Sequence, residues 1–241
     1  MKPKILSTKK LHPSVLEKAK MNQLDIIEQE FIAIEPVVDL KISEQIIGLA
    51  QRGVLHIVIT SQHAVEILSK YMHVEDTYYV IDWKIFCLSG KTKEAIVANE
   101  KIDGIIVDEA QYASDLTKKI SAHKTTEVIF FCGDKRRDEL PDSLRENGVK
   151  VHEIVLYKTH EVPQVAETDL DGILFFSPSA VQSFFSVNQI ERKTVCFAIG
   201  NTTAESIADF TDNKVIISES PNQDAVLAAA RFYFENINCY E

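Results

Sequence analysis

Along the chain, short runs of Ile, Val, Leu and Phe alternate with stretches in which apolar residues recur every three or four positions. A continuous apolar run suits a strand covered on both faces, and a three-to-four repeat suits a helix with one buried side. The pattern predicts strands at residues 4–6, 31–34, 55–59, 85–88, 104–107, 128–131, 151–156, 173–176, 195–199 and 215–217. Helices fill most of the gaps, most clearly at residues 65–71, 181–187 and 225–234. Short buried strands alternating with one-sided helices imply an α/β fold of doubly wound parallel sheets.

The pattern also repeats. Residues 57–68, IVITSQHAVEIL, echo residues 173–184, ILFFSPSAVQSF, with Ser61 facing Ser177 in the alignment. Residues 84–96, KIFCLSGKTKEAI, echo residues 194–207, TVCFAIGNTTAESI, and each runs strand, glycine, threonine, helix. Residues 5–36 share a strand, helix, strand order with residues 128–159. Either the chain is duplicated or a common fold is used twice; both readings give two similar α/β units. A length of 241 residues accommodates two such units. No Gly-Ser or Pro-rich linker separates them, and the segments able to connect them, FIAIEP at 31–36 and VHEIVLYKT at 151–159, are themselves strand-like.

Composition narrows the setting. A hydrophobic content of 45% with 26% charged residues is that of a globular protein, and no apolar run reaches the roughly 18 residues of a membrane span. The N-terminus lacks a secretory apolar core, so a cytoplasmic location is expected. Net charge is −10, which argues against nucleic acid or anionic membranes as partners and requires any anionic ligand to be met by local donors. Cys87, Cys132, Cys196 and Cys239 form no C-x-x-C pair and read as reduced thiols.

Ligands of open α/β sheets bind beyond the carboxyl ends of the strands. Those ends here carry Ser7 and Thr8, Thr60 and Ser61, Ser89 and Gly90, Asp108, Gly133 and Asp134, Ser177, Gly200, and Glu219. Each is expected to stand just before a helix, whose first N–H groups favour an anion. Ser and Thr are also ordinary helix caps, but so many hydroxyl-bearing ends on one presumed rim favour a site for carboxylates or phosphates. The cluster Lys135, Arg136, Arg137 follows Gly133 and either faces such a ligand or forms a solvated helical turn paired with Asp138 and Glu139.

Familiar motifs are missing. Gly90-Lys91-Thr92 would end a phosphate-binding loop, but the earlier glycine it needs falls at Ile85. There is no G-x-G-x-x-G after a strand, no H-E-x-x-H and no G-x-S-x-G. Nucleotide, zinc and serine-nucleophile chemistry therefore have no support, and Tyr157, judged by position alone, is more readily a packing residue than an acid.

The ordered blocks GDKRRDELPDSLRENGVKVHEIVLYKT (133–159), FFSPSAVQSFF, CFAIGNTTAESIA and SPNQDAVLAAA resemble the uroporphyrinogen-III synthase family, and ITSQHAVEIL with CLSGKTKEAI extends the likeness through the first half. The resemblance implies two α/β domains joined by a two-stranded antiparallel linker, with the active site in the interdomain cleft. Residues 1–35 and 160–241 would form one domain and residues 36–159 an inserted one. It implies cyclisation of hydroxymethylbilane to uroporphyrinogen III, with inversion of ring D through a spiro intermediate and with no cofactor or metal. The alternative is a non-catalytic two-domain protein that binds an anionic small molecule.

By the same resemblance Tyr157 matches the linker tyrosine that assists departure of the substrate hydroxyl. Thr202 and Thr203 match a Gly-x-Thr-Thr turn beginning at Gly200, and Thr92, after Ser89 and Gly90, is its weaker copy because Lys93 replaces the second threonine. Thr60, Ser61, Ser177 and Ser179 match the two serine-containing helix starts, with Arg136 and Arg137 nearby for carboxylates. The expected partner is the polycarboxylate substrate, with a transient contact to the preceding pathway enzyme compatible with it; no nucleic acid or membrane partner is expected, and the chain is expected to be a monomer. Many family members have a glycine soon after the Gly-x-Thr-Thr helix, and Phe210-Thr211-Asp212-Asn213 has none, which puts that turn's geometry in question.

Overall fold

The structure is a computed structural model that describes residues 2–71, 83–99, 102 and 104–236. The chain opens with β1 (Lys4–Ser7), α1 (Pro13–Met21), β2 (Asp25–Glu28) and β3 (Ile32–Pro36). There follow α2 (Leu40–Gln51), β4 (His56–Ile59), α3 (Gln62–Tyr71), β5 (Trp83–Leu88), α4 (Lys91–Val97), β6 (Gly104–Ala110) and α5 (Ala113–Ala122). Next come β7 (Glu127–Gly133), α6 (Glu139–Glu146) and β8 (Lys150–Glu161). The last part holds β9 (Gly172–Phe175), α7 (Pro178–Phe185), β10 (Val195–Ala198), α8 (Asn201–Ala208), β11 (Val215–Ile217) and α9 (Gln223–Asn236).

Two units result, one of Met1–Ala33 with His160–Glu241 and one of Ile34–Thr159. Both boundaries fall inside strands, β3 and β8. These two are sheet neighbours, and the bonds from Val37 N–H to the Leu156 carbonyl and from Val162 N–H to the Phe31 carbonyl, each 2.9 Å, run in antiparallel register.

The first unit's sheet has the order β11-β10-β9-β1-β2, all pairs parallel. The second has the order β3-β8-β7-β4-β5-β6, with β8 to β6 parallel. Superposing the orders places β7-α6-β8 on β1-α1-β2 and β4, β5, β6 on β9, β10, β11. The internal echo is therefore a circular permutation of one doubly wound unit. In each, the strand order reverses at one switch point, β1/β9 in the first unit and β7/β4 in the second, the place where such sheets open a crevice.

Strand alternation builds the cores. In the first unit Ile5, Leu174 and Phe197 pack with Val15 and Ala19 of α1 and Val226, Leu227 and Ala230 of α9. Their strand neighbours Leu6, Ile173, Phe175 and Cys196 pack on the other face with Val181 and Phe184 of α7 and Ile207 of α8. The second unit repeats this, with Ile57, Ile85 and Ile129 against α2 and α3 and Val58, Phe86 and Phe130 against α5 and α6. Fully burying one such side chain contributes about 1.5–3 kcal/mol, so these two-sided layers hold the strand ends in place.

Three expectations need correction. β2 escapes the apolar pattern, because DIIE offers only two apolar residues between acids; it is the edge strand beside β1, and it is β2, not the segment at 31–34, that completes the strand-helix-strand echo. Asp108 does not stand at a strand end: β6 continues to Ala110, with a register irregularity opposite Ile85/Phe86. There Asp108 is held by Lys119 at 2.7 Å and His123 at 3.4 Å. Ser7 and Thr8 are buried, and their hydroxyls donate to the backbone carbonyls of Lys9 (2.6 Å) and Leu174 (2.8 Å), so neither hydroxyl proton faces a ligand.

Candidate functional site

At the switch point of the second unit, β7 ends at Gly133 and β4 ends just before Thr60 and Ser61. The β7/β8 pairing slips by one residue here: Cys132 faces Val155, but Gly133 faces Tyr157. Such an irregularity re-aims the side chain beside it. It lays the Tyr157 ring on Gly133, where a Cβ would stand 2.3 Å from Cε2 and 2.5 Å from Cζ. Only glycine leaves room for that ring. Asp134 then fastens the strand: its N–H donates to the Tyr157 carbonyl at 3.0 Å, and its carboxylate accepts the Thr159 N–H at 2.9 Å.

So seated, Tyr157 is 9% exposed and its phenol donates to Ser61 Oγ at 2.9 Å. Ser61 Oγ also accepts the His63 N–H at 3.2 Å, as a residue preceding a helix does. The His63 ring meets Tyr157 edge-to-face, centroids 5.9 Å apart. Burial pushes the Tyr157 phenol above its ordinary pKa, and the hydrogen bond to Ser61 only partly opposes this. The phenol thus keeps its proton at neutral pH, as an acid must.

Around this pair, Thr60 is half-buried at the end of β4 while Ser89 and Gly90 are exposed at the end of β5. Gly90 stands at the start of α4 with φ 76°, a conformation that favours glycine, and with no side-chain cap. Thr92 is buried, and Lys93, in place of a second threonine, is tied to Glu109 at 2.6 Å. Arg136 is half-buried and ion-paired with Glu153 and Asp138; Arg145 is also paired with Glu153. Burial alone would raise the Glu153 carboxyl, but the two guanidiniums together hold it below the usual range. Arg136 is thus ion-paired on two sides, and Arg137 is exposed.

In the first unit, Ser177 caps α7, its Oγ accepting the Ala180 N–H at 3.2 Å, with Pro178 in the first turn and Ser179 half-buried. Gly200 opens α8 without a side-chain cap, its carbonyl accepting Thr203 N–H at 3.1 Å. Thr202 is exposed and Thr203 is 1% exposed, so the two adjacent threonines differ in what they can reach. The turn after α8 closes without glycine: the Thr211 hydroxyl donates to Asn213 Oδ1 at 2.7 Å, and the Asn213 amide donates to the Glu191 and Thr194 carbonyls. Sequence reasoning misses two residues of these sites. Lys9 lies just past β1 with Nζ 5.7 Å from the centre of Phe176, the residue before Ser177; its one signal is a lysine after a strand end. His63, in the second unit, has no metal-ligand spacing and gives no other signal in the sequence.

Cys87, Cys132 and Cys196 are buried free thiols, which burial pushes up to about 11, about 11 and about 12. Cys239 lies outside the described residues. Among the described residues, no cluster of three or more His, Cys, Asp or Glu could hold a metal ion, and no helix is long and apolar enough to cross a membrane.

Comparison with known proteins gives the same architecture. The structure of uroporphyrinogen-III synthetase from Helicobacter pylori 26695 matches with a TM-score of 0.67 at 13% identity, covering 95% of this chain and 98% of that one. A mutant uroporphyrinogen III synthase from the extremely thermophilic bacterium Thermus thermophilus matches with a TM-score of 0.59 at 14% identity, over 97% of this chain and 99% of that one. These define a fold class of α/β proteins with parallel sheets. Sequence goes further: the profile of the family described as uroporphyrinogen-III synthase HemD matches residues 15–228, and the chain belongs to that family. The uroporphyrinogen-III synthase of Saccharomyces cerevisiae is 28% identical over 137 residues, 49% of this chain, and the match spans about half the length of that relative.

Proposed function

We propose that the chain is a uroporphyrinogen-III synthase, a lyase that cyclises hydroxymethylbilane with inversion of ring D in tetrapyrrole biosynthesis. Family membership over residues 15–228 is the observation that carries this reading. The Tyr157–Ser61 pair at the second unit's switch point supports it, because it supplies a protonated acid where a leaving hydroxyl needs one. Departure of that hydroxyl, pushed by the electron-rich pyrrole, gives an electrophilic azafulvene, which closes through a spiro intermediate. Since the unguided bilane also closes, to the symmetric isomer I, the protein's task is orientation and stabilisation of changing charge.

The substrate's carboxylates suit the helix starts at Ser61, Gly90, Ser177 and Gly200, where each anion gains about 0.3–1 kcal/mol. Thr60, Ser89, Thr92, Ser179, Thr202 and Thr203 complete the candidate set, with Arg136, Arg137 and Lys9 as cations. The reading includes a cytoplasmic monomer that needs no cofactor and meets the preceding pathway enzyme transiently. The test is to supply freshly generated hydroxymethylbilane and separate the product isomers; isomer I alone would overturn the proposal.

A further inference from the structure

We infer that Ser61, rather than Tyr157, is the group that hands the proton to the departing hydroxyl, with Tyr157 recharging Ser61 from behind. This inference rests on the reaction proposed above. The geometry orders the two hydroxyls. The Tyr157 ring lies on Gly133 and meets the His63 ring edge-to-face, and its O–H is directed at Ser61 Oγ over 2.9 Å. A phenol so placed points its only proton at serine and has little surface with which to meet a substrate.

Ser61 is the reverse case. It is half-buried at the crevice end of β4. A hydroxyl oxygen carries two lone pairs and one proton, and here the pairs are taken by the Tyr157 O–H and the His63 N–H. With both acceptor positions filled, the Ser61 O–H is what this oxygen still has to offer. Serine alone is a poor acid, but one that receives a proton as it gives one never becomes an alkoxide.

The step balances. Ser61 Oγ–H passes its proton to the hydroxymethyl oxygen of the bilane as the C–O bond breaks, and the pyrrole nitrogen lone pair moves in to form the azafulvenium. Water leaves, the Tyr157 proton moves to Ser61 Oγ, and Tyr157 is left as phenolate beside a cationic substrate. The substituted α-carbon of ring D bonds to the azafulvenium to form the spiro intermediate, its bond to the ring C methylene breaks, and the free α-carbon of ring D bonds to that methylene and loses its proton to restore aromaticity. That proton returns through Ser61 to Tyr157, so the net release is one water.

The experiment compares wild type, Ser61→Ala, Ser61→Thr, Tyr157→Phe and the Ser61→Ala/Tyr157→Phe double variant on fresh hydroxymethylbilane, with product isomers, kcat, KM and proton inventories in mixed H2O and D2O. The relay predicts that Ser61→Ala lowers kcat by about 100-fold, the lower range for a positioned acid, with KM little changed. Tyr157→Phe in that background should add less than about threefold, since residues acting as one unit are non-additive. Ser61→Thr should restore most of the rate. The inventory should curve in wild type, reporting two protons in flight, and straighten in Ser61→Ala. Isomer III from wild type together with a Ser61→Ala kcat within threefold of it, or a full Tyr157→Phe loss on top of Ser61→Ala, would overturn the relay alone. Isomer I alone from wild type would overturn the reaction and the relay with it.

Discussion

Replacing Gly133 with alanine puts a methyl group into the Tyr157 ring. The new Cβ would lie 2.3 Å from Cε2, 2.5 Å from Cζ and 2.9 Å from the phenol oxygen. Carbon contacts settle at about 3.5–4.0 Å, so the ring has to retreat by about 1 Å or more. That displacement breaks the 2.9 Å bond to Ser61. Overpacking costs about 1–3 kcal/mol and a lost hydrogen bond about 0.5–1.5 kcal/mol, so Gly133→Ala should destabilise by about 2–4 kcal/mol. Urea unfolding measures this. The decisive form is a double-mutant cycle with Tyr157→Ala, which removes the ring that the methyl strikes. In that background Gly133→Ala should cost less than about 0.5 kcal/mol, leaving a coupling of about 2 kcal/mol or more. Equal costs in both backgrounds would refute the claim that Gly133 exists to seat Tyr157. Turnover gives a second check, because Gly133→Ala should lose kcat much as Tyr157→Phe does.

Arg136→Ala should lower stability by about 1 kcal/mol, since Glu153 loses one of its two guanidinium partners; Arg137→Ala should leave the melting temperature alone and raise KM by about two- to fivefold, the size of an exposed ion pair. Equal effects on KM with no loss of stability in either would put both arginines on substrate. In a pH titration, the phenolate absorbance assigned to Tyr157 by difference from Tyr157→Phe should appear above pH about 10, the ordinary tyrosine value. The folded chain holds that proton longer than the unfolded one, so this group's linkage makes stability fall as pH rises beyond that point. The depressed Glu153 has the opposite sign: its contribution is present above about pH 4.3 and is lost as acid protonates it. In a Cys239→Ser variant, Cys87, Cys132 and Cys196 should resist a thiol reagent in native buffer and react fully in denaturant; rapid native labelling would contradict their burial.

Much of the fold was legible because parallel strands buried on both faces read as unbroken apolar runs, as in residues 128–131 and 173–176. β2 was not, because an edge strand needs little apolar content and DIIE has only Ile26 and Ile27. β6 ran past its apolar part into Asp108 and Glu109 for the same reason, with Lys119 and Lys93 neutralising the added acids. Ser61 and Tyr157 were legible singly, through a helix start and a family resemblance. Their contact was not, because it depends on a one-residue slip between β7 and β8 and on the bare surface of Gly133. The partner of Arg136 was not legible either: its place beside a strand end suggested a ligand contact, and its ion pair with Glu153 on β8 is invisible in local sequence.

The most direct test of the account is the isomer analysis of wild-type protein given hydroxymethylbilane made in place by a preceding enzyme. The account predicts uroporphyrinogen III as the main product at a rate well above spontaneous closure, with the share of spontaneously formed isomer I rising in Tyr157→Phe. Isomer I alone, formed at the rate seen without protein, would contradict it.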